Sequence, residues 1–122
     1  LDEKNNQKES LYVSGQKDLY NKLKDYSGKL IYLTDTPKPL KDVPKCLSKN
    51  PLKSCDDVDR SSNKVYEGYT TIDPYIWFCK GGCKIIKDDY VVYRDASHIS
   101  NDAAIAATNN LRDSLIKAGL LN

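Results

Sequence analysis

The chain has 122 residues, a length that fits one domain and leaves no room for two. Hydrophobic residues make up 39% of it, enough for one core, while a formal net charge of +2 without a dense Lys/Arg stripe argues against nucleic-acid binding. No stretch approaches the roughly 18 consecutive apolar residues that a membrane-spanning helix needs. The chain begins with Leu1 rather than Met, which predicts an excised or processed segment.

The N-terminal third predicts a helix followed by a strand. Residues 1–14 are mainly polar, and we expect them to form a frayed start. Ser14 can cap a helix from about Gly15 to Ser27, with Gly28 as the stop. The apolar run at 29–34 is rich in strand formers and predicts a buried strand.

The middle of the chain is irregular by pattern. Three prolines in the stretch 35–46 predict a rigid, extended loop instead of a helix, and the polar residues 48–63 continue it. A second strand is predicted within residues 64–73. Residues 84–87 and 90–93 flank two aspartates, which predicts a small hairpin.

The C-terminal segment gives the clearest pattern. An amphipathic helix is predicted from Asn101 to Ala118, with Ser100 or Asn101 as the N-cap and Gly119 as the stop. Its predicted apolar face consists of Ala104, Ala107, Leu111, Leu115 and Ala118. The order helix, strand, long loop, strand, hairpin, helix predicts an α/β domain that covers residues 1–122.

Four cysteines form two sequence-local pairs, Cys46 with Cys55 and Cys79 with Cys83. An even count in a short chain suggests disulfides and an oxidising compartment. Three connectivities are possible, of which the two local bonds are favoured. A structural zinc site is the alternative, although eight residues between the first two cysteines fit the usual zinc spacing poorly.

The only histidine, His98, lies three residues after Asp95, just before the predicted C-terminal helix. Two intervening residues allow a turn to bring the carboxylate to one imidazole nitrogen, which would fix the tautomer and leave the other nitrogen as a general base. Such a base suits acyl transfer from a hydroxyl. The four-residue pattern is also compatible with Asp95 as an ordinary turn residue and His98 as a surface residue.

Three motifs in the same order resemble one known family. Residues 91–100 (Val-Val-Tyr-Arg-Asp-Ala-Ser-His-Ile-Ser) resemble the last sequence block of SGNH-type hydrolases, and the cysteine pair at 79–83 that precedes them is part of the resemblance. In particular, they resemble the extracytoplasmic SGNH domains fused to bacterial membrane acyltransferases of family three. The Asp-Thr-Pro loop at 35–37 and the Pro-Lys-Cys at 44–46 also resemble that family, so the resemblance covers about residues 29–118.

The resemblance implies a fold and two residue roles. The fold would be part of a three-layer α/β/α, flavodoxin-like SGNH domain with a mainly parallel sheet. Asp95 matches the aspartate and His98 the histidine of a Ser-His-Asp triad. The family's nucleophile belongs to a Gly-Asp-Ser block that does not occur in these 122 residues, and Ser14 is interpreted as a cap. The chain is therefore expected to be a C-terminal portion, inactive alone.

The resemblance also implies a function. The parent protein would acylate, and most simply acetylate, a cell-envelope glycan outside the membrane, to which a membrane acyltransferase segment attaches it. This chemistry needs no metal or organic cofactor. A sheet that lacks strands would expose an edge, which predicts pairing with the missing N-terminal part or self-association.

A non-catalytic alternative stays open. The same chain could be a secreted, disulfide-stapled binding or interaction module, since no nucleophile is visible in it. In either case, Trp77 and Phe78 could line an acyl or sugar pocket or simply pack beside a disulfide.

Overall fold

The computed structural model describes residues 2–26, 28–59 and 67–122. These residues contain six helices and six short strands. In chain order they are α1 (Asp2–Leu23), β1 (Ile31–Leu33), β2 (Lys38–Pro39), α2 (Val43–Leu47), α3 (Leu52–Cys55), β3 (Val58–Asp59), β4 (Thr70–Ile72), α4 (Tyr75–Cys79), β5 (Ile86–Lys87), β6 (Tyr90–Val91), α5 (Asn101–Ala106) and α6 (Thr108–Lys117).

The chain divides into two compact units. Unit 1 comprises residues 1–33 and 64–72, and unit 2 comprises residues 34–63 and 73–122. Helices combine with short sheets, one of them a parallel pair, which gives an α/β fold. No helix among the described residues is both long and apolar enough to cross a bilayer.

Helix α1 of unit 1 is longer than predicted. It begins at Asp2, so residues 2–14 are helical where a frayed start was expected, and Ser14 lies inside the helix and caps nothing. The early turns are rich in Glu, Lys and Gln, which favour helix but carry no apolar periodicity to detect. The helix ends at Leu23, and the predicted end at Ser27 falls outside the described residues.

The strands of unit 1 form a short parallel pair. β1 and β4 pair in register from Ile31 opposite Thr70 to Leu33 opposite Ile72. The strand expected at 29–34 therefore exists, but it is not buried, because Leu33 is 50% exposed. The second predicted strand is confirmed at 70–72, while its residues 64–66 lie outside the described part.

Tyrosine side chains connect the helix of unit 1 with its strands. The Tyr69 ring lies edge-on to Tyr20 and Tyr32, with centroids 5.2 and 5.8 Å apart. The Tyr69 hydroxyl donates to the carbonyl of Gln16 at 3.2 Å. Gly68 has a φ of +92°, and a Cβ there would lie 2.5 Å from the Tyr20 ring, so this close approach requires glycine.

The proline-rich loop of unit 2 contains a short helix, so the expectation of a purely extended loop was wrong. Asp42 caps α2 by accepting the Lys45 backbone N–H at 3.0 Å. Pro44 occupies the first turn, where a missing N–H breaks no helical hydrogen bond. Downstream, β2 pairs antiparallel with β3.

The core of unit 2 surrounds the first disulfide. Cys46 and Cys55 are buried and bonded, and Cys79 is bonded to Cys83, which confirms both local pairings and leaves no thiolate for zinc. Burial raises the pKa of the Tyr93 hydroxyl to about 12. The buried cluster consists of Val43, Cys46, Cys55, Val58, Ile85, Val92, Tyr93 and Ala103.

The predicted hairpin is confirmed. β5 pairs antiparallel with β6, from Ile86 opposite Val91 to Lys87 opposite Tyr90. Asp88 turns the chain with a φ of +53°, a conformation that aspartate tolerates better than most side chains.

The predicted C-terminal helix is present but divided into α5 and α6 at Ala107. The Thr108 hydroxyl donates back to the carbonyl of Ala104 at 3.4 Å, an interaction that often bends helices. The face predicted from Ala104 was wrong at that position: Ala103 is fully buried, and Ala104 is exposed.

Candidate functional site

A closed loop of residues 94–98 lies between β6 and α5. The backbone N–H of Arg94 donates to the carbonyl of His98 at 3.0 Å, and Tyr93 bridges Ile99 antiparallel. One step further out, the N–H of Ser100 donates to the carbonyl of Val92 at 2.8 Å. These bonds fix both ends of the loop to one another.

Ser100 anchors the loop to the helix that follows. Its hydroxyl donates to the carbonyl of Val91 at 2.7 Å and accepts the Ala103 backbone N–H at 3.1 Å. Ser100 is thus the N-cap of α5, which confirms the first of the two predicted caps. Because Ala103 is fully buried, the start of this helix is held by packing as well as by hydrogen bonds.

Asp95 turns the loop by binding the backbone ahead of it. Its Oδ1 accepts the N–H groups of Ser97 and His98, each at 2.8 Å. This is the turn that aspartate side chains make with their own backbone. The same bonds hold the His98 backbone next to the carboxylate.

The imidazole of His98 meets that carboxylate directly. Nδ1 lies 3.0 Å from Oδ1 and 2.9 Å from Oδ2 of Asp95. With an ionised carboxylate as partner, Nδ1 carries the proton and donates it, which leaves the lone pair on Nε2. No hydrogen bond joins Nε2 to another group within residues 2–26, 28–59 and 67–122.

The environment keeps Asp95 ionised. Its pKa is lowered to about 2, chiefly by the hydrogen bond from the Ser97 N–H. Burial is the second-largest effect and raises the pKa, while the backbone and side chain of His98 lower it further. Arg94 adds an ion pair, with its Nε 3.6 Å from Oδ2 of Asp95. The pair is accessible: the side chains are 39% exposed for Asp95 and 61% for His98.

Sequence reasoning missed two members of this cluster. Side chains of neighbouring residues in an extended segment point to opposite faces, but the turn removes that alternation and lets Arg94 contact Asp95. The Ser97 hydroxyl lies 3.1 Å from Nδ1 of His98 and 3.4 Å from Oδ1 of Asp95. A serine two residues after an aspartate is a local turn signal that could have indicated it.

The two aromatic candidates, Trp77 and Phe78, lie in different surroundings. Trp77 lines an open cleft, whereas Phe78 packs against the buried cluster of unit 2. The four cysteines are consumed by disulfides, and no group of metal-binding side chains occurs among the described residues.

Sequence comparison identifies a family for this chain. The family model "SGNH domain (fused to AT3 domains)" matches residues 2–113. The chain therefore belongs to the SGNH domain family that is fused to AT3, or acyltransferase-3, domains, as its resemblance predicted. No curated protein and no solved structure matches it.

Proposed function

We propose that this chain carries the His-Asp part of an extracytoplasmic SGNH O-acyltransferase or esterase domain. The observation that supports it best is the bond between His98 Nδ1 and the Asp95 carboxylate, which leaves Nε2 as the base. The domain would acylate, most simply acetylate, a hydroxyl of a cell-envelope glycan. A Gly-Asp-Ser motif does not occur in these 122 residues, so the nucleophilic serine would come from a segment outside them.

The proposed mechanism follows from that geometry. Nε2 of His98 takes the proton of the serine hydroxyl as the serine oxygen attacks the acyl carbonyl. The leaving group departs with the proton from His98, and an acyl-serine remains. A sugar hydroxyl then attacks this ester, again losing its proton to Nε2, which returns it to the serine oxygen. Asp95 stays ionised throughout and stabilises the imidazolium.

The finer features of the fold belong to the same proposal. In the intact domain, β1 and β4 would lie in a mainly parallel sheet between two helical layers, with further strands supplied by the N-terminal part. The two disulfides favour an oxidising, extracytoplasmic location. An AT3 segment would attach the domain to the membrane and supply the acyl donor, as the family's description of fusion suggests.

The decisive experiment is acyl transfer by the full-length parent protein with His98→Ala and Asp95→Asn. We expect each variant to lose activity by about 10³-fold or more, because the base or its orienting carboxylate is removed. Asp89→Asn, which makes the same change in the hairpin turn, is the matched control and should retain activity. Wild-type rates for both His98 and Asp95 variants would refute the proposed mechanism.

The non-catalytic binding module remains a second candidate, favoured by the 61% exposure of the His98 side chain and by the lack of a Gly-Asp-Ser motif. A covalent serine probe separates the two functions. The parent protein should be labelled on one serine if the enzymatic proposal is right. The isolated 122-residue chain should neither be labelled nor hydrolyse an aryl acetate, and turnover abolished by Ser14→Ala would refute the assignment of the nucleophile.

A further inference from the structure

Unit 2 contains an open cleft of about 760 Å³ whose lining residues do not include any of the 94–98 loop. Its walls come from α4, β5 and α6. A volume of this size falls within the range of about 300–1,000 Å³ that is usual for sites of small ligands. The mechanism proposed above does not use this cleft.

One wall of the cleft is aromatic. Tyr75 and Trp77, both half-buried, lie on α4. The buried Cys79 at the end of this helix also lines the cleft, and its disulfide to Cys83 ties the helix to the chain that follows. The aromatic wall is therefore fixed covalently at one end.

The part of the lining that α6 contributes is polar. Asn110, Asp113 and Ser114 occur at positions i, i+3 and i+4 of α6 and so share one face of that helix. Together they offer an amide, a carboxylate and a hydroxyl, which can both donate and accept hydrogen bonds. Within the described residues these three side chains bind no other protein group, which leaves their hydrogen-bonding capacity for a ligand.

We propose that this cleft binds a short segment of a glycan. A pyranose ring has an apolar face that packs on an aromatic ring and a rim of hydroxyls that needs mixed donors and acceptors, which matches the two walls. Lys80 and Lys87 add two ammonium groups to the single carboxylate of Asp113, so acidic sugars fit the cleft as well as neutral ones. The choice of a glycan rests on the proposed function, because a glycan is its acyl acceptor.

Trp77 is the only tryptophan of the chain, so its fluorescence reports on the cleft alone. Three probes cover neutral and acidic sugars: the N-acetylglucosamine tetramer, maltotetraose and a hyaluronan tetrasaccharide. We expect at least one to give a saturable change in Trp77 emission. The Trp77→Ala substitution should weaken binding of that probe by at least about tenfold. Because this variant has no tryptophan, its binding is measured by calorimetry.

A matched pair of asparagines provides the structural control. Asn110→Ala should weaken binding by about three- to tenfold through loss of a hydrogen-bonding side chain. Asn109→Ala makes the same change one residue earlier on α6, outside the cleft lining, and should leave binding unchanged. Both asparagines are exposed, so neither change is expected to unfold the chain.

Glycan binding by the cleft and catalysis by His98 can be tested separately. No saturable change with any of the three probes, or equal weakening by Asn109→Ala and Asn110→Ala, would overturn the glycan cleft. Binding requires no general base, and His98 does not line the cleft, so a His98→Ala variant should bind the probe like the wild type. Acyl transfer that is insensitive to His98→Ala, together with normal binding, would refute the mechanism and leave the cleft assignment standing.

Discussion

The two units of the chain bury their apolar residues to very different extents. In unit 2 a cluster of eight buried residues includes the two cysteines of one disulfide, and a second disulfide closes the turn after α4. Among the described residues of unit 1, Ile72 is the only buried hydrophobic side chain. The large hydrophobic residues that unit 1 exposes are Leu11, Tyr12, Val13, Leu19, Leu23, Tyr26 and Leu33.

The candidate site lies in the better-buried unit, unit 2. The loop of residues 94–98 belongs to the unit that has its own core and both covalent cross-links, and the hydrogen bonds that close the loop lie within that unit. Unit 1 relies instead on one short parallel pair and the ring contacts of Tyr69. The apolar surface that it exposes is consistent with the proposal that further chain completes the domain.

Two substitutions to alanine, one in each unit, test the difference in burial most sharply. Ile85→Ala in the core of unit 2 should lower the free energy of unfolding by about 2–5 kcal/mol, because it leaves a cavity in a fully packed site. Leu11→Ala on the 73% exposed surface of α1 should change it by less than about 0.5 kcal/mol. Urea titrations followed by circular dichroism measure both values, and similar effects would contradict the contrast between the units.

Removing a cross-link should give the next largest effect. The double change of Cys46 and Cys55 to Ala opens a short loop, for which we expect a loss of less than about 3 kcal/mol. Hydrogen exchange should report faster opening of amides in unit 2 and unchanged rates in α1, since all four cysteines belong to unit 2. Equal loss of protection in both units would show that they unfold as one.

Two glycines of unit 1 should respond with opposite sign. Gly68→Ala should cost about 1–3 kcal/mol, because its φ of +92° disfavours a side chain and the new Cβ meets the Tyr20 ring. Gly15→Ala, inside α1 with open space around it, should stabilise the helix by about 0.5–1 kcal/mol. Thermal melts decide the matter, and a neutral Gly68→Ala would argue against the packing of Tyr20 on this turn.

The smallest expected effect is the response of the 94–98 loop to acid. The pKa of Asp95 is about 2 in the folded chain, below the ordinary 3.8, so folding favours the ionised form. Its stabilising contribution is complete above about pH 3.8 and is lost as the pH falls through about 2. Carboxyl NMR should show a midpoint near 2 that returns to about 3.8 in the urea-unfolded chain, whereas an unshifted folded midpoint would contradict the turn.

Sequence patterns were most informative where the interactions are local. The Cys46–Cys55 and Cys79–Cys83 bonds, the hairpin around Asp88, and the cap at Ser100 all join residues that are near in sequence, and the structure confirms each of them. The proximity of Asp95 and His98 has the same origin, because a three-residue separation and a turn suffice to bring them together. Their catalytic roles remain predictions.

The errors arose where the signal is not periodic or not local. The first turns of α1 have helix-forming side chains but no apolar stripe, so Ser14 was mistaken for a cap. Pro44 was interpreted as a helix breaker, although in a first turn it is tolerated. Trp77 and Asn110 line one cleft although they are 33 positions apart in sequence, and no pattern within one helix reveals that.

The Ser100 hydroxyl both donates and accepts a hydrogen bond, and this matters for engineering the protein. It joins the strand that precedes the loop to the helix that follows, using one side chain and about ten residues of chain. The hydrogen bonds that hold the aspartate–histidine pair in place all lie within residues 91–103. Substitutions in the cleft of α4, β5 and α6 can therefore be made without changing any residue of that segment.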